Sequence, residues 1–161
     1  MFSLHMVSEG ELAPDFELPS HTDERIRLSS FRNKMNVVLC FYPKNHMWGC
    51  PSKKVFEQAK SVVDNYERIK QLDAEVFGIS VDTMESHKKF AKEYRIPYRL
   101  LSDVDKKICG EYAGLNVFGL AKRTTFIIDR QGVITKIFRD IEPARHGEEI
   151  VAALSSIAKM A

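Results

Sequence analysis

The chain has 161 residues, of which 44% are hydrophobic and 29% are charged, a balance typical of one soluble globular domain, predicted here as residues 1–161. A formal net charge of +2, without clusters of basic and aromatic residues, argues against a charge-driven function on nucleic acid or a membrane surface. The sequence contains no run of about 18 apolar residues, so it predicts no membrane-spanning helix. Its three cysteines lack the spacing of a disulfide framework, which indicates a reducing, cytoplasmic setting.

The first half of the chain is predicted to form a hairpin, a buried strand and a long helix. Residues 13–19 and 25–28 alternate apolar and polar side chains, which predicts a small β-hairpin. Residues 37–42 are apolar, rich in β-formers and too few for a helix, so we expect a strand over 36–42 that is buried on both faces. Apolar residues recur at three- and four-residue steps over 55–72, which predicts an amphipathic helix.

The second half alternates further strands and helices. Residues 74–82 predict a second buried strand, which should run parallel to the first because a helix connects them. The remaining predicted elements are a helix at 86–94, a strand at 98–101, a short helix around Cys109, a hairpin over 123–139 and a helix at 148–160. This order predicts an α/β fold with a mixed central sheet flanked by helices.

Cys50 is the strongest candidate for a reactive residue. Pro51 suits the first position of a helix, so Cys50 lies at a helix N-terminus, where unpaired N–H groups and the helix dipole favour the thiolate. A chance surface thiol is the alternative. Cys40 lies within an apolar strand and is interpreted as a small core residue, and a buried structural thiol is the preferred interpretation of Cys109.

His46 and His87 are the histidines that invite a functional interpretation. Neither has a partner at the spacing of metal ligands, so we interpret both as loop or solvent-exposed residues and predict no metal site and no cofactor.

The segment from Pro43 to Cys50, PKNHMWGC, resembles the Pro-x-x-x-Thr/Ser-x-x-Cys signature of the peroxiredoxins. The flanking FYPK and GC sequences are most similar to the bacterioferritin comigratory protein (PrxQ) branch of that family. Further similar segments lie in the family's order at 13–18, 78–82, 86–90, 101–103 and 123–129, together with Gly132. The resemblance covers nearly the whole chain and implies a thioredoxin-like fold with an N-terminal β-hairpin extension.

The resemblance also implies roles for three residues. Cys50 matches the peroxidatic cysteine, Pro43 the proline that shields its thiol, and Arg123 the arginine that holds the thiolate and the incoming peroxide. These roles agree with the chemistry, since a thiolate attacks the O–O bond and a guanidinium supplies fixed donors to the developing charge. The product is a sulfenic acid on Cys50, which a thiol then reduces.

Three positions depart from the family pattern: Met47, Lys54, where this branch often has a glutamate, and Val55. Met47 stands where the family has Thr or Ser, and a thioether cannot donate a hydrogen bond. Met47 and Trp48 are therefore candidate accessory residues, as an apolar lid over the thiol or as a docking patch. Val55 occupies the usual position of the resolving cysteine, which leaves Cys109 as a distant resolving candidate. Because a disulfide needs Cα atoms within about 7 Å, Cys109 could serve only if the active-site helix unwinds locally.

The predicted function is a thiol-dependent peroxidase for hydrogen peroxide and organic hydroperoxides, with a one-cysteine mechanism. Thioredoxin, glutaredoxin or a small thiol is the expected reductant, and we expect a monomer or a weak homodimer. One alternative, motivated by Met47, Lys54 and Val55, is a weakly active or non-catalytic redox-sensing or interaction protein on the same scaffold. A thiol–disulfide oxidoreductase is the other, and the absence of a Cys-x-x-Cys pair argues against it.

Overall fold

The computed structural model describes residues 6–46 and 53–160, and its elements follow the predicted order. The strands are β1 Glu17–Pro19, β2 Arg25–Arg27, β3 Asn36–Phe41, β4 Ala74–Ser80, β5 Arg99–Ser102, β6 Thr124–Ile128 and β7 Ile134–Phe138. The helices are α1 Lys53–Gln71, α2 Met84–Tyr94, α3 Lys107–Tyr112 and α4 His146–Met160. Short 3-10 helices span Leu28–Phe31 and Pro143–Arg145.

The central sheet has five strands in the order β5-β4-β3-β6-β7. Strands β3, β4 and β5 run parallel to one another, while β6 is antiparallel to β3 and β7 is antiparallel to β6. Strands β1 and β2 form a separate antiparallel hairpin, as the alternating pattern predicted. The mixed sheet, its flanking helices and the N-terminal hairpin confirm the predicted fold class.

Strand β3 lies in the middle of the sheet, and all six of its residues are buried. Its even-numbered side chains, such as Val38 and Cys40, pack against a core formed with α1, α2 and α4. Its odd-numbered side chains, such as Leu39 and Phe41, pack against a second core formed with the hairpin and α3. The apolar run 37–41 within β3 therefore matches burial of both faces of the strand.

Two helices begin earlier than their hydrophobic patterns predicted. Helix α2 begins at Met84 rather than at Ser86, because the side chain of Thr83 caps it by accepting a hydrogen bond from the Ser86 amide. Helix α4 begins at His146 rather than at Glu148. In both cases the first residues are fixed by contacts outside the apolar stripe that the sequence pattern reports.

Helices α1 and α4 approach closely at Gly147. Its amide donates to the Ser61 hydroxyl at 2.8 Å, and a β-carbon built on Gly147 would lie only 2.2 Å from the Ser61 carbonyl oxygen. A glycine is therefore required here for steric reasons, because the two backbones are in direct contact. This contact sets how closely α4 packs against α1.

Candidate active site

The sheet brings Pro43 and Arg123 to the same edge. Phe41, the last residue of β3, pairs with Thr124, the first residue of β6. Because these strands are antiparallel, the chain leaves β3 toward Pro43 where it enters β6 from Arg123. Both side chains are half-buried, so this edge offers a partly shielded position for reactants.

Helix α1 contributes Gln58 to this edge. The Arg123 guanidinium donates through Nη1 to the Gln58 side-chain oxygen at 2.5 Å, and Gln58 itself is buried. Burial also lowers the pKa of the Arg123 guanidinium. A neutral acceptor orients the cation without cancelling its charge, so Arg123 keeps donors for an anionic or polar reactant. The sequence pattern did not identify Gln58, because its partner is 65 residues away and the helix periodicity marks it only as polar.

The segment that follows β3 is held by side chains rather than by the sheet. The Tyr42 amide makes the last ladder contact, donating to the Ile79 carbonyl at 3.1 Å. Asn45 is then fully buried, and its amide donates to Asp82 Oδ2 at 2.9 Å. Lys44 between them is exposed. Asn45 is therefore the anchor of this segment after the strand ends.

The interpretation of His87 as a loop or solvent-exposed residue is wrong. His87 lies on α2 with no exposed surface, because its ring packs between α2, β4, β5 and the end of β3. Nε2 lies 3.0 Å from the Leu101 carbonyl, which can only accept, so Nε2 carries the proton and Nδ1 is left as an acceptor. Burial lowers the pKa of His87 to about 4, which keeps the ring neutral.

Three of the predicted site residues, Cys50, Met47 and Trp48, lie outside the residues that the structure describes. The other two cysteines, Cys40 and Cys109, are buried free thiols. Burial raises the pKa of Cys40 to about 12 and also raises the pKa of Cys109, so neither thiol ionises readily. The interpretation of both as core residues is confirmed for their positions in the structure.

Cys109 and α1 lie on opposite faces of the central sheet. Cys109 belongs to the core under the hairpin, with Phe41 and Tyr112, whereas the first turns of α1 pack on the opposite face. Its amide donates to Asp103 Oδ2 at 2.6 Å, which fixes the start of α3. Cys109 is therefore not in contact with the described first turns of α1.

Val55, at the usual resolving position, is also a core residue. It is 4% exposed and lines a cavity of about 20 Å³ together with Cys40, Tyr42 and Gln58. A β-branched apolar side chain at this point fills the contact between α1 and β3. Valine at position 55 therefore contributes to the packing of α1 onto the sheet.

Neither a metal centre nor a membrane-spanning helix is found among residues 6–46 and 53–160. Within those ranges no three or more His, Cys, Asp or Glu side chains are grouped so that they could hold a metal ion. The helices described there include none with the length and apolar character needed to cross a bilayer.

Comparison with known proteins gives consistent matches. Residues 10–137 match the AhpC/TSA family model. A chloroplastic peroxiredoxin Q from Populus jackii is 38% identical over 154 residues, covering 94% of this chain and 70% of the relative. The corresponding protein from Sedum lineare is 37% identical over 154 residues, covering 94% and 80% respectively.

Solved structures agree with these matches. The crystal structure of peroxidoxin BcpB from Mycobacterium tuberculosis aligns with a TM-score of 0.82 at 30% identity, over 95% of this chain and 99% of that one. The crystal structure of a PrxQ mutant from Xylella fastidiosa aligns with a TM-score of 0.85 over 96% and 98% of the two chains. At 23% identity, the second match concerns the fold alone.

Proposed function

The chain belongs to the AhpC/TSA family, and from that premise we propose that it reduces peroxides through Cys50. As a peroxiredoxin it is a thiol-dependent peroxidase. The observation that supports the residue assignment is the edge of the sheet where the chain leaves β3 toward Pro43 and enters β6 from Arg123, immediately before the segment that leads to Cys50. The comparisons do not favour the non-catalytic alternative.

The reaction assigned to this edge has two stages. The Cys50 thiolate attacks one peroxide oxygen, the O–O bond breaks, and the leaving oxygen departs as an alcohol or water after taking up a proton. Arg123, oriented by Gln58, stabilises the negative charge that develops on the peroxide oxygens. Cys50 is left as a sulfenic acid.

An external thiol completes the cycle in this proposal. Its attack on the sulfenic acid forms a mixed disulfide and releases water, and a second thiol then regenerates Cys50 and carries away the disulfide. The buried positions of Cys40 and Cys109, and the core position of Val55, support a one-cysteine mechanism. Thioredoxin, glutaredoxin or a small thiol is the reductant class that this mechanism requires.

A turnover assay tests the proposal. Peroxide consumption is measured with thioredoxin, with glutaredoxin and with a small thiol, for the wild type, Cys50→Ser and Cys109→Ala. We expect Cys50→Ser to abolish turnover with every reductant. Cys109→Ala is the matched control and keeps wild-type turnover. Turnover that survives in Cys50→Ser refutes the catalytic assignment, and turnover lost in a folded Cys109→Ala refutes the one-cysteine mechanism.

A further inference from the structure

A buried polar network lies at the end of β3, next to the proposed site. Asn45 Nδ2 lies 3.0 Å from His87 Nδ1, and Asn45 Oδ1 accepts from the Tyr42 hydroxyl at 2.6 Å. Asn45 Nδ2 also donates to the Ser86 hydroxyl at 3.1 Å. Because His87 Nε2 donates to a carbonyl, its Nδ1 accepts from Asn45, and every polar group of the Asn45 side chain is satisfied.

Asp82 closes the network from the end of β4. Its Oδ2 accepts from the Asn45 amide at 2.9 Å and from the Ser80 hydroxyl at 2.6 Å, and its Oδ1 accepts from the Ser86 hydroxyl at 3.3 Å. Asp82 is 6% exposed, so its charge is compensated mainly by these donors. Three separate parts of the fold therefore hold one asparagine.

We propose that Asn45 is a positioning residue for the peroxidase reaction, which it serves by fixing, through His87 and Asp82, the segment from which the chain continues to Cys50. The inference rests on the proposed function, because it presumes that Cys50 carries the chemistry. Its physical reason is that Asn45 stands five residues before Cys50 and after the last sheet contact. Misplacing a reacting group by about 1 Å can cost about 100-fold in rate.

The decisive variant is Asn45→Asp, which removes the amide donor and introduces a carboxylate beside His87 Nδ1. While the imidazole is neutral, the introduced carboxylate faces the lone pair of His87 Nδ1, so the hydrogen bond between residue 45 and His87 is lost. The same carboxylate raises the pKa of His87, and once the ring is protonated Nδ1–H donates and the hydrogen bond is restored. The defect should therefore be pH-dependent in a stated direction.

The other groups that face His87 are the same in the wild type and the variant. The Asp82 carboxylate raises its pKa, His21 from the β1–β2 turn lowers it, and the Tyr42 hydroxyl lies 3.4 Å from Nδ1. Burial raises the pKa of Tyr42 well above its ordinary value, so its hydroxyl stays neutral through the assay range. A change in the pH profile is therefore attributable to the introduced carboxylate.

The measurement is the single-turnover rate of Cys50 oxidation by hydrogen peroxide, followed by the fluorescence of Trp48, the only tryptophan of the chain. Rates are normalised to the Cys50 thiolate fraction, which is titrated separately in each protein. At about pH 8 we expect Cys50 oxidation in Asn45→Asp to be slower than in the wild type by a factor of roughly ten or more. This difference in rate should shrink as the pH is lowered toward about 6. In Asn45→Asp/His87→Gln the deficit should not change with pH.

A milder pair of variants applies if the buried carboxylate prevents folding. Tyr42→Phe removes the hydroxyl that donates to Asn45, and Tyr66→Phe is a matched control that removes a hydroxyl donating to Glu75 at 2.8 Å. We expect Tyr42→Phe to slow Cys50 oxidation by roughly three- to tenfold and Tyr66→Phe to leave it unchanged.

The outcomes separate this inference from the proposed function. A wild type that reacts with peroxide no faster than free cysteine overturns both. If the wild type is reactive, this inference alone is overturned when Asn45→Asp reacts as fast as the wild type, or when it is slower by the same factor at every pH. Equal rates in Tyr42→Phe and Tyr66→Phe overturn it in the same way.

Discussion

Burial of the His87 imidazole predicts that the protein loses stability between neutral and mildly acidic pH. Burial lowers the pKa of His87 from 6.5 to about 4 in the folded chain. The unfolded chain therefore binds the proton more readily than the folded chain. The free energy of unfolding is at its full value above about pH 6.5 and decreases as the pH falls toward about 4. Between about pH 8 and about pH 5, these two pKa values give a loss of about 2 kcal/mol in the free energy of unfolding.

The assay is urea unfolding at several pH values, for the wild type and for His87→Gln. The variant is less stable at neutral pH, because it loses the fit between Asn45 and the Leu101 carbonyl, but its free energy of unfolding should fall by about 2 kcal/mol less on acidification. Burial also lowers the pKa of His146, which is present in both proteins, so its contribution cancels in the difference. Equal losses in the two proteins would refute the reasoning.

Three further predictions concern packing and catalysis. Gly147→Ala should lower the free energy of unfolding by about 1–3 kcal/mol, because its β-carbon meets the Ser61 carbonyl, whereas Gly110→Ala, with no neighbour closer than 3.8 Å, should be neutral or slightly stabilising in the same thermal melts. Arg123→Lys should slow peroxide turnover by roughly tenfold to a hundredfold, since an ammonium lacks the fork geometry; an unchanged rate would remove Arg123 from the site. Met47→Thr should raise turnover by roughly ten- to a hundredfold by supplying a hydroxyl donor, and no gain would mean that another donor already acts there.

The fold could be predicted from the sequence because burial on both faces of a central strand demands an unbroken apolar run. Residues 37–42 carry that run, and β3 occupies the predicted position with every residue buried. The N-terminal hairpin could be predicted as well, since one buried residue in each short strand lies between residues that are exposed or half-buried.

The supports of the candidate site could not be predicted in the same way. His87 and Asn45 are 42 residues apart, and a polar residue on a helix gives no sign that it points into the protein. Gln58 shares this property, because its polarity is the same whether it faces water or Arg123. Periodicity reports which face is apolar, whereas a buried polar partner depends on the topology that brings two distant segments together.

The central claim is that Cys50 is the thiol that peroxide oxidises. The most direct measurement treats the reduced wild type with stoichiometric hydrogen peroxide, traps sulfenic acid with a selective nucleophile and maps the adduct by peptide mass spectrometry. We expect the adduct on Cys50, with Cys40 and Cys109 unmodified because their thiols are buried and protonated. A reactive protein that carries the adduct on Cys40 or Cys109, or a Cys50 that remains reduced, would contradict the account.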